Sequence, residues 1–292
     1  MARRTYETRA LDFPVMWRLK DIACLWAVQR ISHLPLTMAK SILRKAFSIL
    51  PEPVKQPLFK LATAIQAVPY YGTGRWCPVC GRSSRRFRSA GLVLRKDVEC
   101  AHCKAGERHR LVWLYLANRT DLFDGTPKKM LHVAPERCLE PSFRRALGAG
   151  YLTADLQDRH AMVRMDITQI DFPDNSFHVI YCSHVLEHVV DDRRAMREFY
   201  RVLRPGGWAI LLVPITEDQT FEDPSIVSPE DRLRVFGQED HVRRYGPDFV
   251  DRLKEVGFEV RIIRVSDLYG RVDATRMGLT AACGDIFHCT KA

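Results

Sequence analysis

Apolar residues cluster in short runs along residues 128–290 of the chain. Such runs predict buried β-strands, which we place at 128–133, 151–154, 163–165, 177–182, 208–213, 258–265 and 285–290. Between the fourth and fifth runs, apolar residues recur at helical spacing, namely Val185, Val189, Met196, Phe199 and Val202. Arg-Pro-Gly-Gly at 204–207 predicts the end of that helix. A strand, a crossover helix and a strand form a parallel β-α-β unit, so the pattern predicts an α/β fold.

Charge divides the chain unevenly. Residues 1–110 carry 21 Lys and Arg against 7 Asp and Glu, and residues 111–292 carry 24 against 28, which together give the net charge of +10. The mixture of basic and apolar positions in residues 1–72 predicts a basic amphipathic helical arm. Its charge predicts an anionic partner, either a membrane surface bound through residues 1–60 or RNA. Packing on the C-terminal domain, or on a second copy in a homo-oligomer, is the alternative.

Targeting signals do not stand out in the sequence. No uncharged apolar run reaches the roughly 18 residues that cross a bilayer, and charges interrupt any candidate core of a signal peptide. We therefore expect a cytoplasmic protein, with peripheral association with the inner membrane as an open alternative.

Two Cys-x-x-Cys pairs precede the predicted sheet, Cys77 with Cys80 and Cys100 with Cys103. Four thiolates at this spacing can hold one Zn²⁺ tetrahedrally, which predicts a structural zinc ribbon at residues 73–110. Disulfides are the alternative. However, the total of nine cysteines is odd and the other five are scattered, and a reducing compartment favours zinc. Four thiolates leave no open coordination position, so catalysis at this site is not expected.

Residues 172–213 read FPDNSFHVIYCSHVLEHVVDDRRAMREFYRVLRPGGWAILLV. This stretch resembles the fourth and fifth strands of class I S-adenosylmethionine-dependent methyltransferases, in the pattern PFxDxSFDxV…VLEH…REFxRVLRPGG. His-Val-Ala-Pro-Glu at 132–136, Glu-Arg-His-Arg at 107–110 and the four cysteines also resemble a bacterial subfamily, over roughly residues 75–265. The resemblance implies a Rossmann-like sheet of seven strands in the order 3-2-1-4-5-7-6, with helices on both faces, over residues 111–292.

The resemblance also implies which residues contact S-adenosylmethionine. The family has a DxGxGxG loop after its first strand, whereas no glycine appears here until Gly148, so Ala134 would form the loop and Glu136 would bind the amino-acid end of the cofactor. An acid after the second strand, Asp155, is placed for the ribose hydroxyls, and Asp166 for the adenine amino group, with Ile167 packed on the ring. The implied cofactor-binding set is His132, Ala134, Glu136, Asp155, Leu156, Asp166, Ile167 and Ser183.

His184, Glu187 and His188 follow the fourth strand as an HxxEH motif. At positions i, i+3 and i+4 they would share one face of a helix at the mouth of the site, where His184 or His188 could act as a general base. Some methyltransferases carry ExxEH here and bind a divalent metal, which in this chain would need a further ligand from Glu217, Asp218 or His241. Helix capping by Glu187 and His188 is the third interpretation. His241 lies in residues 215–247, which we predict to form a lid that shapes the acceptor site.

Three functions remain open from the sequence. The first is methyl transfer to oxygen or nitrogen of a small-molecule or glycan-like acceptor, because the subfamily looks like one found among bacterial surface-polysaccharide enzymes. The second is RNA methylation, with the ribbon and its arginines binding RNA. The third is a scaffold protein whose glycine-free loop no longer holds a cofactor.

Overall fold

The computed structural model describes residues 64–91, 93–271 and 274–292, together with Pro51, Pro57 and Leu61. Most of the arm predicted at residues 1–72 therefore lies outside the described residues, as do the predicted membrane, RNA and subunit contacts of residues 1–60. Residues 63–292 form one structural unit that includes both the predicted ribbon and the predicted catalytic domain. Among the described residues, no helix combines the length and the apolar character needed to cross a bilayer.

Two small antiparallel hairpins form the N-terminal part of this unit. The first pairs β1 (Arg75–Cys77) with β2 (Arg82–Ser84), and the second pairs β3 (Arg88–Ala90) with β4 (Arg95–Glu99). The helix α1 (Glu107–Arg119) follows them. Its first turn therefore consists of residues that the sequence pattern had assigned to the ribbon, and the helix begins four residues before the predicted start of the next domain at 111.

A seven-stranded sheet forms the core of the larger part. Its strands are β5 (Met130–Val133), β6 (Tyr151–Asp155), β7 (Val163–Arg164), β8 (Phe177–Ser183), β9 (Leu203–Leu212), β12 (Glu259–Ile263) and β13 (Ile286–Thr290). The order across the sheet is β12-β13-β9-β8-β5-β6-β7. With these seven strands numbered along the chain, the order from the β7 edge is 3-2-1-4-5-7-6. Strand β13 runs antiparallel to both of its neighbours, and the other pairings are parallel.

Both faces of this sheet are buried, which explains why its strands appear as continuous apolar runs. Met130 and Tyr181 face one side and pack against Leu111 of α1 and Phe87 of the ribbon. Alternate residues of the same strands face the other side and pack against the helix α3 (Asp192–Val202). The remaining helices are α2 (Glu140–Leu147), α4 (Pro229–Phe236), α5 (Phe249–Glu255) and α6 (Ala274–Met277).

The crossover helix is shorter than its apolar spacing predicted. Helix α3 starts only at Asp192, because the Asp191 side chain caps it by accepting the Arg194 backbone N–H at 2.8 Å. The prediction that HxxEH lies on a helix face is therefore wrong: residues 186–188 form a single 3₁₀ turn, and His184 has a left-handed backbone with φ of 55°. The Arg-Pro-Gly-Gly sequence lies at the start of β9, where the register against β8 shifts.

Residues 215–247 contain a two-stranded ribbon and a helix. Strand β10 (Phe221–Glu222) pairs antiparallel with β11 (Arg243–Arg244), and helix α4 lies between them. A parallel bridge between Ile215 and Tyr245 pairs the two ends of the segment with each other. The predicted lid is thus an ordered insertion after β9.

Candidate active site and cysteine cluster

The loop after β5 reaches the backbone conformation that a glycine would favour. Ala134 has φ of 49°, and its N–H donates to the Ala154 carbonyl at the end of β6 at 2.8 Å. The absence of glycine therefore does not prevent the tight turn at the carboxyl end of the first strand of the sheet. In parallel α/β sheets this edge is where ligands bind.

Glu136 is the centre of a buried polar network at that edge. His132 is fully buried on β5, and its Nε2 is hydrogen-bonded to Oε2 of Glu136 at 2.8 Å. Its Nδ1 is hydrogen-bonded to the Tyr151 hydroxyl at 2.7 Å. The Tyr181 hydroxyl donates to Oε1 at 3.2 Å. Burial alone would raise the pKa of Glu136, but the His132 hydrogen bond and the nearby imidazoles outweigh it and lower the pKa to about 2. The loop therefore presents a full negative charge at neutral pH.

The acids predicted to bind the nucleoside end each cap a local turn. Oδ1 of Asp155 accepts the N–H groups of Gln157 and Asp158, both at 2.7 Å, which leaves its second oxygen available to a ligand. Leu156 is 49% exposed beside it. Asp166 is exposed and its Oδ1 accepts the Thr168 N–H at 2.8 Å, whereas Ile167 is buried in the core. Asp155 and Leu156 line one surface cavity.

Two residues in the first turn of α1, directly after the ribbon, lie at the site although the sequence analysis did not assign them to it. His109, in the first turn of α1, accepts the Gly106 N–H on Nδ1 at 2.9 Å. Its proton therefore lies on Nε2, which is 3.7 Å from Oε1 of Glu136. Burial lowers the pKa of His109 to about 4, so the ring is neutral. The Glu-Arg-His-Arg motif was the available signal, but spacing alone did not show where it would lie.

Arg108 is the second of these residues. Its Nε is buried and has no hydrogen-bond partner in the described part of the chain. Burial is the largest influence on the pKa values of three neighbours: it lowers that of His184 and raises those of Glu187 and Tyr181. The positive charge of Arg108 acts to lower all three. Arg108 therefore lies among the residues at the carboxyl edge of the sheet, with its Nε still able to donate to a ligand.

A cleft of about 490 Å³ separates the ribbon from the carboxyl ends of β8 and β9. One wall comes from the ribbon and α1, including Arg95, Lys104 and Arg108, and the opposite wall includes His184 and the residues 212–216. Three basic side chains thus face a groove that borders the predicted cofactor site. We interpret this cleft as the candidate acceptor site.

His184 lies where this cleft meets the end of β8. Its backbone N–H donates to the Leu212 carbonyl at 2.8 Å, and Nδ1 is buried without a hydrogen-bond partner among the described residues. Burial, together with the charge of Arg108, lowers the pKa of His184 to about 3. The ring is therefore neutral at pH 7 and can accept a hydrogen bond, although so weak a base abstracts protons poorly. The neighbouring Ser183 hydroxyl is also buried and unpartnered within the described region.

Glu187, His188 and His241 form a second cluster next to His184. One donor atom from each of the three lies within 4.8 Å of the others. Oε1 of Glu187 is 3.8 Å from Nδ1 of His184, so the two groups are adjacent. Burial raises the pKa of Glu187 to about 7. His241 comes from the insertion after β9 and lies beside Glu187 and His188. The metal interpretation of the motif needed a further ligand from this insertion.

Other polar residues of the insertion are engaged within the protein. Arg243 is buried, donates to Oε2 of Glu222 at 2.8 Å and also contacts the backbone carbonyls of the HxxEH turn. The Tyr245 hydroxyl is buried and donates to Asp192 at 2.7 Å. Arg243 and Tyr245 therefore anchor the insertion to the domain.

The four ribbon cysteines converge on one point. Sγ of Cys77 is 3.6 Å from Sγ of Cys103, and Sγ of Cys80 is 3.8 Å from Sγ of Cys100. Zinc bound to thiolates at about 2.3 Å requires sulfur atoms about 3.8 Å apart in a tetrahedron, so the donor set fits this ion. All four are free thiols. The prediction of disulfides as the alternative is not supported by this geometry.

The two cysteine turns share one backbone design. The residue after each pair, Gly81 or Lys104, has a left-handed backbone with φ of 68° or 66°, and its N–H donates to the carbonyl of the first cysteine. The His102 N–H additionally points at Sγ of Cys100, at 3.4 Å. Such turns aim both thiolates of a pair in one direction.

Comparison with known proteins finds a family match over part of the sheet. Residues 138–211 match the model of the methyltransferase domain family. The match supports the predicted S-adenosylmethionine-dependent methyltransferase, and it covers the segment from the helix α2 to β9, which contains β6, β8, the HxxEH turn and α3.

Similar proteins match the chain over short segments. A ubiquinone/menaquinone biosynthesis C-methyltransferase of Pseudoalteromonas translucida is 42% identical over 50 residues, which are 17% of this chain and 20% of that protein. Phosphoethanolamine N-methyltransferase 3 of Arabidopsis thaliana is 31% identical over 97 residues, which are 32% of this chain and 18% of that protein. The chain thus spans about a fifth of the length of these relatives. A solved S-adenosylmethionine-dependent methyltransferase from Mesorhizobium loti, 14% identical, aligns with 61% of this chain and 96% of its own at a TM-score of 0.40.

Proposed function

We propose that this protein transfers a methyl group from S-adenosylmethionine to oxygen or nitrogen of a small-molecule or glycan-like acceptor. One observation carries the proposal: an ionised Glu136, the turn acid Asp155 and the unpartnered polar groups of Ser183 and His184 all lie at the carboxyl edge of a sheet whose sequence matches the methyltransferase domain family. In such sheets this edge is the ligand-binding edge.

The chemistry of this edge fits the cofactor. The amino-acid end of S-adenosylmethionine carries an ammonium and a carboxylate group. Glu136, held ionised by His132, supplies a negative charge for the ammonium, and Arg108, whose Nε lacks a partner among the described residues, supplies a positive charge for a carboxylate. Asp155 retains one oxygen for the ribose hydroxyls after capping its turn. The remaining predicted contacts, Leu156, Asp166 and Ile167, stay predictions.

The cleft between the ribbon and the sheet is the place we propose for the acceptor. Its lining combines three basic side chains, Arg95, Lys104 and Arg108, with three acidic ones, Glu99, Glu107 and Asp285. Arg95 pairs with Glu107 at 2.6 Å and Lys104 with Glu99 at 3.9 Å, so the cleft offers polar groups of both signs to an acceptor. A polar small molecule or glycan matches a cleft of about 490 Å³.

The cofactor, when bound, supplies an activated methyl group on sulfur. Methyl transfer is an in-line displacement, so the main task of the protein is to hold the acceptor atom in line with that group, which supplies up to about 7–11 kcal/mol of the barrier reduction in favourable cases. His184 borders both places and can accept a hydrogen bond from an acceptor hydroxyl or ammonium on Nδ1. Its low pKa favours orientation of the acceptor over proton abstraction.

We further propose that the four cysteines hold a structural Zn²⁺. The sulfur separations and the paired cysteine turns support this, and four thiolates complete the coordination of the ion. The ion would fix the ribbon, whose two short hairpins have little core of their own. No step of the proposed reaction involves this site.

Calorimetric titration of S-adenosylhomocysteine into the zinc-loaded protein tests the proposed function. We expect micromolar binding that Asp155→Asn weakens at least tenfold, because asparagine can still cap the turn but loses the negative charge. Asp171→Asn, at an exposed acid outside the cavity that Asp155 lines, is the matched control and should bind normally. Absence of binding to a folded, zinc-loaded protein would contradict the proposal and favour the scaffold interpretation.

RNA methylation is the second candidate, and a surface feature of the ribbon favours it. Arg82, Arg85 and Arg86 are exposed on neighbouring ribbon residues, and exposed arginines are typical phosphate ligands. In contrast, Arg75 and Arg88 pair with Asp97 and Glu99 within the ribbon. RNA binding that weakens steeply with added salt, and that is lost in Arg85→Ala with Arg86→Ala, would support this candidate. No binding at low salt would exclude it.

A further inference from the structure

We infer that Glu187, His188 and His241 form a binding site for a divalent transition-metal ion, separate from the four-cysteine site. The three residues belong to two distant parts of the chain, the 3₁₀ turn at 186–188 and the insertion after β9. Their donor atoms all lie within 4.8 Å of one another. Two imidazoles and one carboxylate form a ligand set that suits Fe²⁺, Zn²⁺, Co²⁺ or Mn²⁺.

Unpartnered buried atoms point to a ligand at this place. Glu187 is 2% exposed and His241 is 6% exposed. Oε2 of Glu187 and Nε2 of His241 are buried and have no hydrogen-bond partner among the residues that the structure describes. Burying such atoms without a partner is unfavourable, and more so for a charged group. A cation between them would satisfy both.

The third ligand is oriented by a carboxylate. Nδ1 of His188 is 3.2 Å from Oδ2 of Asp240, which places the proton on Nδ1 and leaves the lone pair of Nε2 free. A carboxylate that holds the outer nitrogen of a histidine in this way is the usual support of a metal-bound imidazole. The rings of His188 and His241 meet edge to face with centroids 4.6 Å apart, so they already converge.

The backbone holds the two ligand segments together without the ion. The Val242 N–H donates to the Glu187 carbonyl at 2.9 Å, and Nη1 of Arg243 donates to the Leu186 carbonyl at 2.9 Å. A tetrahedral set around an ion at about 2.1 Å needs donors about 3.4 Å apart, so donor atoms that lie within 4.8 Å of one another must approach by up to about 1.4 Å. His188 is about one-third exposed and has room to rotate.

This ligand set differs from the one that the HxxEH spacing suggests. His184 has a left-handed backbone and lies with its ring at the cleft, 3.8 Å from Glu187, whereas His241 completes the trio. Three protein ligands leave open coordination positions. On the proposed function, an acceptor hydroxyl in the cleft beside His184 could occupy one of them, and the ion would lower the pKa of that hydroxyl.

Electron paramagnetic resonance titration with Mn²⁺ tests the site on the full chain that carries one equivalent of Zn²⁺ for the four thiolates, with excess Zn²⁺ removed. Mn²⁺ prefers oxygen and nitrogen donors to thiolates, so it does not compete for the cysteines. We expect one bound Mn²⁺ per chain. His241→Ala and His188→Ala should each abolish it, Asp240→Asn should weaken it about 10–100-fold through loss of the supporting carboxylate, and His184→Asn should retain it.

Folding and cofactor binding are measured on the same samples. Zinc content and the urea midpoint identify a variant that fails to fold, and the His188 variant, at a side chain about one-third exposed, serves if the buried His241 cannot be replaced. Absence of bound Mn²⁺ at millimolar concentration, or binding that survives both histidine variants, would overturn the inference. Titration of S-adenosylhomocysteine separates the two claims, because it reports the proposed methyltransferase site whether or not Mn²⁺ binds.

Discussion

Arg110 joins the ribbon to the methyltransferase domain, and its replacement should uncouple them. The side chain is fully buried. Its Nη1 donates to the carbonyls of Val98 and Ala105 at 2.8 and 2.9 Å. Its Nε and Nη2 donate to the carbonyls of Met277 and Gly278 at 2.6 and 3.2 Å. The guanidinium also lies 4.1 Å from the ring centroid of Phe87.

The expected magnitude follows from these contacts. Each hydrogen bond from a charged donor contributes about 1.5–3 kcal/mol, so four amount to roughly 6–12 kcal/mol before the cost of burying the charge. That cost is several kcal/mol per ion, which leaves a net contribution of about 4 kcal/mol. Arg110→Met keeps the apolar stem but removes all four donors. We therefore expect it to lower the free energy of unfolding by about 4 kcal/mol, the usual range for breaking a buried charged network.

Urea denaturation of the zinc-loaded protein measures this change, and zinc release to a chromogenic chelator reports on the ribbon. We expect Arg110→Met to release zinc much faster than the native chain. Arg82→Met is the control, because Arg82 is an exposed arginine of the same ribbon. A loss below about 1 kcal/mol for Arg110→Met would refute the reasoning, since it would mean that the four carbonyls find other partners.

Two further predictions concern the cysteine cluster and the core. Cys103→Ser should reduce bound zinc to well below one ion per chain, as elemental analysis would show, whereas Cys138→Ser, outside the cluster, should retain it. His288 is buried against Tyr115 and Trp208, and burial lowers its pKa to about 4, below the value of about 6.5 in the unfolded chain. The unfolded state then binds more protons, so this contribution to stability is complete above pH 6.5 and is lost as the pH falls towards 4. Between pH 7 and 5 the loss should reach up to about 2 kcal/mol, and His288→Gln should show a flatter pH dependence of its urea midpoint.

The sequence pattern located the sheet well because its signal is local. Strands β5, β8 and β9 are buried on both faces and therefore appear as continuous apolar runs. The four cysteines were likewise predictable, because each pair is a local turn closed by a residue with positive φ. The helix α3 was predicted too long, since Val185 and Val189 fit the helical period while Asp191 caps the helix after them.

The composition of the site was only partly predictable because it depends on contacts between distant segments. Nothing in the spacing of Glu-Arg-His-Arg shows that Arg108 and His109 will lie beside Glu136 and His184. The conformation of His184 was also hidden, because a left-handed residue at the end of β8 turns its side chain away from the helical face that the motif implies. His241 reaches Glu187 only through the insertion and its buried anchor Arg243.

The ribbon affects the proposed chemistry without taking part in it. The Cys100 N–H donates to the Ala105 carbonyl at 2.9 Å, and Arg110 holds that same carbonyl from the first turns of α1. Between these two anchors lie Arg108 and His109, the residues that the ribbon presents to the cleft and to Glu136. A change that loosens the cysteine cluster therefore displaces the positive charge at the site before it disturbs the sheet. For this reason, loss of zinc should weaken ligand binding at temperatures at which the seven-stranded sheet is still folded.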